Sequence, residues 1–210
     1  MRAAFTIVLN GKRHLEHNDF WKKMVNMFDY WVIVEGVSLP TGSTSWCKEL
    51  PGSMHKDFLS NDGTTELLNS IEKASINVTV VRNNNKPFTN KDEQVNAAVV
   101  KLKEIVRDKQ CFLWQIDVDE QWTIDQLSEA EKLLVRNKGK TGCFLCNYYV
   151  GDKQKVIGEW GEGRHLPYRR LWDWKGELFK THEPPTLDGD RKSTRLNSSH
   201  VSESRMPSSA

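Results

Sequence analysis

Short apolar runs recur along this chain, and stretches of helical period separate them. Residues 5–9 (FTIVL), 30–34 (YWVIV), 77–82 (NVTVVR) and 111–116 (CFLWQI) are rich in β-branched and aromatic side chains and read as strands. They are continuous rather than alternating, as expected of strands covered on both faces. Residues 19–28 hold Phe20, Met24, Met27 and Phe28 at helical spacing. Helices are also predicted over 66–73, over 92–106 (apolar at 95, 98, 99, 102, 105 and 106) and over 124–135. A fifth strand is expected over 142–150, a turn over 83–87, and a long loop with a little helix over 38–64, where Pro, Gly, Ser and Thr cluster. This alternation through residue 135 predicts an α/β fold: one domain with a mainly parallel sheet flanked by helices.

The chain has 210 residues and a formal charge of +2, which argues against a strongly basic nucleic-acid binder. Residues 191–210 carry seven Ser among 20 residues, with almost no apolar content. They resemble translated adaptor or vector sequence. On that reading residues 1–189 are the folded domain, cut short of its own C-terminus, and 190–210 are a disordered, non-native tail. The tail's four Lys+Arg against two Asp+Glu account for the whole +2, leaving residues 1–189 neutral. No run of about 18 apolar residues predicts a membrane span. The N-terminus lacks a signal-peptide pattern, and four Cys are too few for a disulfide scaffold, so a reducing, cytoplasmic location is expected. Cys143-X-X-Cys146 has no partner pair and reads as structural. Asn77-Val-Thr79 lies within a predicted strand and is not read as a glycosylation site.

In sheets of this kind ligands bind beyond the carboxyl ends of the strands. Asn10, Glu35, Arg82 and Asp117 stand there. The sharpest motif is Asp117-Val-Asp119-Glu120, three carboxylates within four residues after a buried strand. Asp117 and Asp119 can point the same way in an extended chain, and two convergent carboxylates need a cation between them. Mg²⁺ or Mn²⁺ would serve, together with substrate phosphates. A solvated acidic turn capping the next helix is the plainer alternative. Further on, His182-Glu183 offers another ligand and a base, and Arg169-Arg170 offers phosphate contacts or surface ion pairs.

In this order the pieces resemble the GT-A glycosyltransferases, specifically the family 2-like enzymes, over most of residues 5–187. The resemblance implies a GT-A (Rossmann-like) fold and an inverting, metal-dependent transfer of a sugar from a nucleotide-diphosphate sugar to an acceptor hydroxyl. It implies that Asp117 lies near the donor ribose and that Asp119 holds Mn²⁺ or Mg²⁺ with Asp117 and His182. Glu35 would contact the base, and Asn10, Asn96 and Arg170 would complete the donor site. The family's Arg before that Asn is Val95 here, so Lys91 or Arg82 would replace it. Glu183 ranks first as catalytic base, ahead of Glu162 and Glu159. Most of the eight Trp are expected in the core, with Trp122 and Trp160 as candidates to stack on the acceptor. That acceptor could be a glycan, a lipid or a protein.

Two other readings remain. One is a metal-dependent phosphohydrolase with Asp117 as nucleophile, although that pattern belongs after a first strand. The other is a non-catalytic nucleotide-sugar or carbohydrate-binding domain, against which the intact Asp117/Asp119 pair argues. A nucleotidyltransferase would want a Gly-rich basic loop after the first strand, where Asn10-Gly-Lys-Arg13 has a single Gly.

Overall fold

The computed structural model describes residues 1–107, 109–145, 147–150, 154–155, 168–188, 194–195 and 204–205. In chain order the elements are β1 (Arg2–Val8), α1 (Lys12–Glu16), α2 (Phe20–Met27), β2 (Tyr30–Glu35), α3 (Thr64–Ala74), β3 (Val78–Val81), α4 (Lys91–Val106) and β4 (Cys111–Gln115). There follow α5 (Ile124–Arg136), β5 (Thr141–Phe144), β6 (Asn147–Val150), β7 (Gln154–Lys155), β8 (Tyr168–Trp174), β9 (Phe179–Thr181) and β10 (Thr186–Leu187), with two-residue strands β11 (Thr194–Arg195) and β12 (Ser204–Arg205).

The main sheet runs β11-β5-β8-β4-β1-β2-β3. β4, β1, β2 and β3 are mutually parallel. β8 lies antiparallel between β4 and β5 and is the reversed strand of this sheet. The mainly parallel sheet flanked by helices is therefore present, with one strand that the apolar-run pattern did not predict. β8 (YRRLWDW) carries two arginines and an aspartate, so it does not read as a buried run, yet Arg170, Leu171, Trp172 and Trp174 are all buried. The strand expected over 142–150 is instead two strands, β5 in the main sheet and β6 in a separate three-stranded sheet.

Strands β1, β2 and β3 step outward in one direction, and α4 then returns the chain across the sheet to β4. Right-handed crossovers that reverse direction must change face. Accordingly Val95, Ala98, Val99 and Leu102 of α4 pack on Phe5, Val32, Val34 and Leu113. On the opposite face Leu15, Phe20, Met24, Leu68 and Ile71 pack with Ala4, Val8, Trp31 and Ile33, and α5 joins them through Leu127, Ala130 and Leu134. Alternate residues of each strand thus feed two cores, which is why the strands read as unbroken apolar runs.

Local signals fix the element ends. Asn90 caps α4 by accepting from Glu93 N at 2.7 Å. Thr123 and Gln126 close a reciprocal capping box at the start of α5. Asn77 donates from Nδ2 to the carbonyls of Val25 and Phe28, 2.9 Å each, so its side chain is tied to the end of α2. No helix of the described residues is long and apolar enough to cross a membrane.

Inside β1 the fully buried Thr6 ties together its two neighbours, β2 and the chain just after β4. Its Oγ1 donates to Ile116 O at 2.7 Å and accepts from Trp31 Nε1 at 2.9 Å. Thr6→Val keeps the shape but strands both partners in a dry core. It is expected to lower stability by about 1–3 kcal/mol, the cost of a buried unpaired polar group. Urea unfolding checks this, and an unchanged midpoint would show that the bridge contributes nothing.

Candidate functional site

The reversal of strand order falls between β1 and β4, the place where such sheets open a crevice beyond their carboxyl ends. A cleft of about 360 Å³ lies there. Ile7, Leu9, Asn10 and Gly11 line it from the end of β1, and Gln115, Asp117, Val118 and Asp119 from the end of β4. His14 enters from α1, Lys91 from the first position of α4, and His182 from the segment after β9. Gly11 permits the tight exit from β1, since a Cβ there would meet Val8 Cγ2 at 2.4 Å.

Five of the residues singled out from sequence therefore meet in one place: Asn10, Lys91, Asp117, Asp119 and His182. Burial lowers the Lys91 pKa, while the nearby Asp117 carboxylate and Cys47 oppose that shift. Burial, reinforced by Lys91 and Arg170 and opposed by Asp117 and Asp92, holds His182 down to about 4. Its imidazole is thus neutral at pH 7, and its Nδ1 is buried with no hydrogen-bond partner among the described residues. The Asn10 side chain donates from Nδ2 to Met54 O at 2.6 Å and accepts from Asn61 N at 2.9 Å, tying the cleft to the 38–64 segment.

The acidic motif divides into different jobs. Arg170, 3% exposed, reaches from β8 to Glu120 Oε1 through Nη2 at 2.5 Å and Nε at 2.9 Å, and to Asp117 Oδ2 at 2.9 Å. Glu120 is wholly buried. Arg170 also stacks on Tyr168, 5.4 Å from the ring centre. The cation that the convergent carboxylates called for is, for Asp117 and Glu120, a guanidinium of this chain. Among the described residues no three His, Cys, Asp or Glu side chains gather as a ready metal cage. Asp119 and His182 nevertheless line one cleft, and a neutral imidazole needs no deprotonation to ligate.

Other expected contacts lie elsewhere. Arg170 is an internal anchor rather than a cleft-lining donor contact. Glu35 is fully buried and paired with Arg82 Nε at 2.7 Å; it also accepts from Thr65 Oγ1 at 2.5 Å and Ser60 N at 3.3 Å. These two residues meet each other, and neither lines the cleft. Asn96 exchanges both hydrogen bonds with the Phe179 backbone, at 2.9 and 2.8 Å, and so clamps β9 to α4. Trp122 belongs to the core: it packs edge-on against Trp114 at 5.2 Å and Phe144 at 5.1 Å, with its N–H on Glu120. No face is left for an acceptor, because a large apolar ring gains more from burial than from exposure. Glu183 is exposed and does not line the cleft, although it adjoins His182. Trp160, Glu159 and Glu162 lie outside the described residues.

Two cleft-lining residues, His14 and Gln115, were not singled out from sequence, nor was Asp92 beside the cleft. His14 follows the first expected strand, and Gln115 falls inside the expected strand 111–116. Asp92 looked like the solvated first turn of a helix. Asp92 in fact accepts from Ser43 Oγ at 2.5 Å, Ser43 N at 3.2 Å and His182 N at 2.5 Å. Burial raises its pKa, but these hydrogen bonds outweigh that and leave it below the usual carboxylate range. Gly42 (φ +66°) allows the approach, since a Cβ there would sit 2.8 Å from Asp92 Oδ2. A helix-start signal exists for Asp92; no local signal points to its partners.

Two outcomes follow. Glu120→Ala leaves the Arg170 cation buried with half its neutralisation and is expected to cost about 3–5 kcal/mol. Denaturant titration measures that cost, and an unchanged midpoint would show that Glu120 does not anchor Arg170. Asp92→Ala is expected to speed amide hydrogen exchange about tenfold in both the 42–44 turn and the His182 segment. A change in only one of them would show that Asp92 does not join them.

No family model matches this chain, and no curated protein matches it. Among solved structures, S. aureus TarS 1-349 is 12% identical over 75% of this chain and 38% of its own, with a TM-score of 0.45. Its complex with UDP-GlcNAc is 12% identical over 75% of this chain and 37% of its own, TM-score 0.43. A 4-diphosphocytidyl-2C-methyl-D-erythritol synthase is 14% identical over 82% of this chain and 74% of its own, TM-score 0.41. The chain thus spans well under half of the TarS fragment. At these identities and TM-scores the likeness adds nothing to what the strand order itself shows.

Proposed function

We propose that this chain is a GT-A-type glycosyltransferase that takes a nucleotide-diphosphate sugar as donor and transfers the sugar, with inversion, to an acceptor hydroxyl. The observation that carries the reading is the meeting of Lys91, Asp117, Asp119 and His182, far apart in sequence, in one cleft at the switch point of the sheet. Lys91 places an ammonium where a diphosphate would lie. Asp117, held by Arg170 through Oδ2, would lie near the donor ribose. Asp119 and His182 would hold Mg²⁺ or Mn²⁺, with phosphate oxygens completing the shell. That ion would neutralise charge developing on the departing diphosphate. The apolar walls, Ile7, Leu9 and Val118, reduce water around that charge. Glu183, exposed beside His182, is the candidate base for the acceptor hydroxyl.

The phosphohydrolase alternative asks Asp117 to attack phosphorus. Its ion pair with Arg170 draws on the carboxylate needed for that attack, which favours the transferase.

The test is binding and slow hydrolysis of UDP-, GDP-, dTDP- and CDP-linked sugars, with Mn²⁺ and with chelator. At least one donor is expected to bind in a metal-dependent way, with Asp119→Ala and His182→Ala weakening it about tenfold or more and Lys91→Met weakening the diphosphate alone as well. Binding of none, alongside release of phosphate from simple phosphomonoesters, would replace this reading with the phosphohydrolase.

A further inference from the structure

Gln115 is left without a role by that reading. It lines the cleft, two residues before Asp117 on β4, and is 3% exposed. Its Oε1 is buried with no hydrogen-bond partner among the described residues. Four other buried side-chain atoms among the described residues share this condition, on Arg82, Gln94, Trp172 and His182. Of these residues only His182 also lines the cleft. In that reading His182 Nδ1 has a use as a ligand atom, whereas Gln115 Oε1 has none among the described residues.

We propose that Gln115 is a specificity-determining residue, which reads an uncharged hydrogen-bond donor on the ligand: a hydroxyl or N–H of its nucleoside or sugar part. The inference rests on the donor reading above and deepens it. Gln115 follows Trp114 in β4 and pairs in register with Phe5 of β1, so the sheet backbone holds it rigidly at the cleft floor. Ile7, Leu9 and Val118 line the same cleft and offer it no partner. An amide oxygen accepts and does not donate. Phosphate oxygens of a bound diphosphate also only accept, so this atom has nothing to gain from them, and Lys91 is the group that meets them. A hydroxyl or N–H is the complement that relieves the unpaired oxygen. Sites built this way discriminate strongly, because a ligand lacking the group leaves the buried polar atom unpaired.

Two variants, Gln115→Met and Gln115→Leu, test this through two independent readouts. The first is thermal stability without ligand. Replacing an unpaired buried amide by an apolar side chain is expected to leave Tm unchanged or raise it by about a few degrees. A fall in Tm in both variants would mean the amide already has a partner inside the protein, and would overturn the proposal. The second is calorimetric titration, in Mn²⁺, of inorganic pyrophosphate, of UDP, GDP, dTDP and CDP, and of their glucose conjugates. The variants are expected to bind pyrophosphate as the wild type does and to lose about tenfold or more on one larger class of ligand. Loss on the nucleoside diphosphates locates the hydrogen bond on the nucleoside; loss only on the glucose conjugates locates it on the sugar. Equal weakening of every ligand, pyrophosphate included, or no change in any, overturns the proposal while leaving the donor reading intact if Asp119→Ala still loses binding. Failure of the wild type to bind any nucleotide overturns both.

Discussion

A guanidinium buried to 3% exposure cannot stay charged and unpaired in the interior of a protein, and Arg170 is such a group. It sits on β8, the strand that runs against its neighbours, and is neutralised by Glu120 and Asp117 from the turn after β4. The turn is in turn closed by Glu120 N on Asp117 O at 3.0 Å and followed by the capping box that starts α5. Reversed strand, acidic turn and helix start are therefore one interlocked unit. Glu120 pairs with Arg170 away from the cleft, Asp117 both pairs with Arg170 and lines the cleft, and Asp119 lines the cleft as well.

Around that unit the topology does the rest. Because α4 carries the chain from the far edge back to β4, its first turn comes to lie at the mouth between β1 and β4, bringing Lys91 into the cleft and Asp92 beside it. Asp92 then holds Ser43 and His182, two segments about 140 residues apart in sequence, by hydrogen bonds to one carboxylate. The amide of Asn96, one turn further along the helix, fixes β9 and so the approach of the His182 segment. A helix that packs as a core element thus also brings Lys91 to the cleft and positions the His182 segment beside it.

The fold was largely legible because burial on both faces writes itself into the sequence as unbroken apolar runs, and helix starts write themselves as caps. β8 escaped because its charges are neutralised internally: a buried arginine looks, in sequence, like a surface one. The same ambiguity affected the site. Glu35 and Arg82 both stand at strand ends and both looked available; they pair with each other. Trp122 looked like a ring for an acceptor and fills the core beside Trp114 and Phe144. Gln115 was invisible because a polar residue inside a strand carries no local mark of whether its amide is paired.

By itself the sequence determined the parallel order of apolar strands and covering helices, the acidic turn after β4, and the candidacy of Asp117, Asp119 and His182. These are consequences of local periodicity and of residue chemistry, which a one-dimensional string preserves. Only the tertiary structure decided which charges meet each other and which face the cleft. That choice depends on distances between strands that are neighbours in space and distant in sequence, and on the cost of leaving any buried charge without its partner.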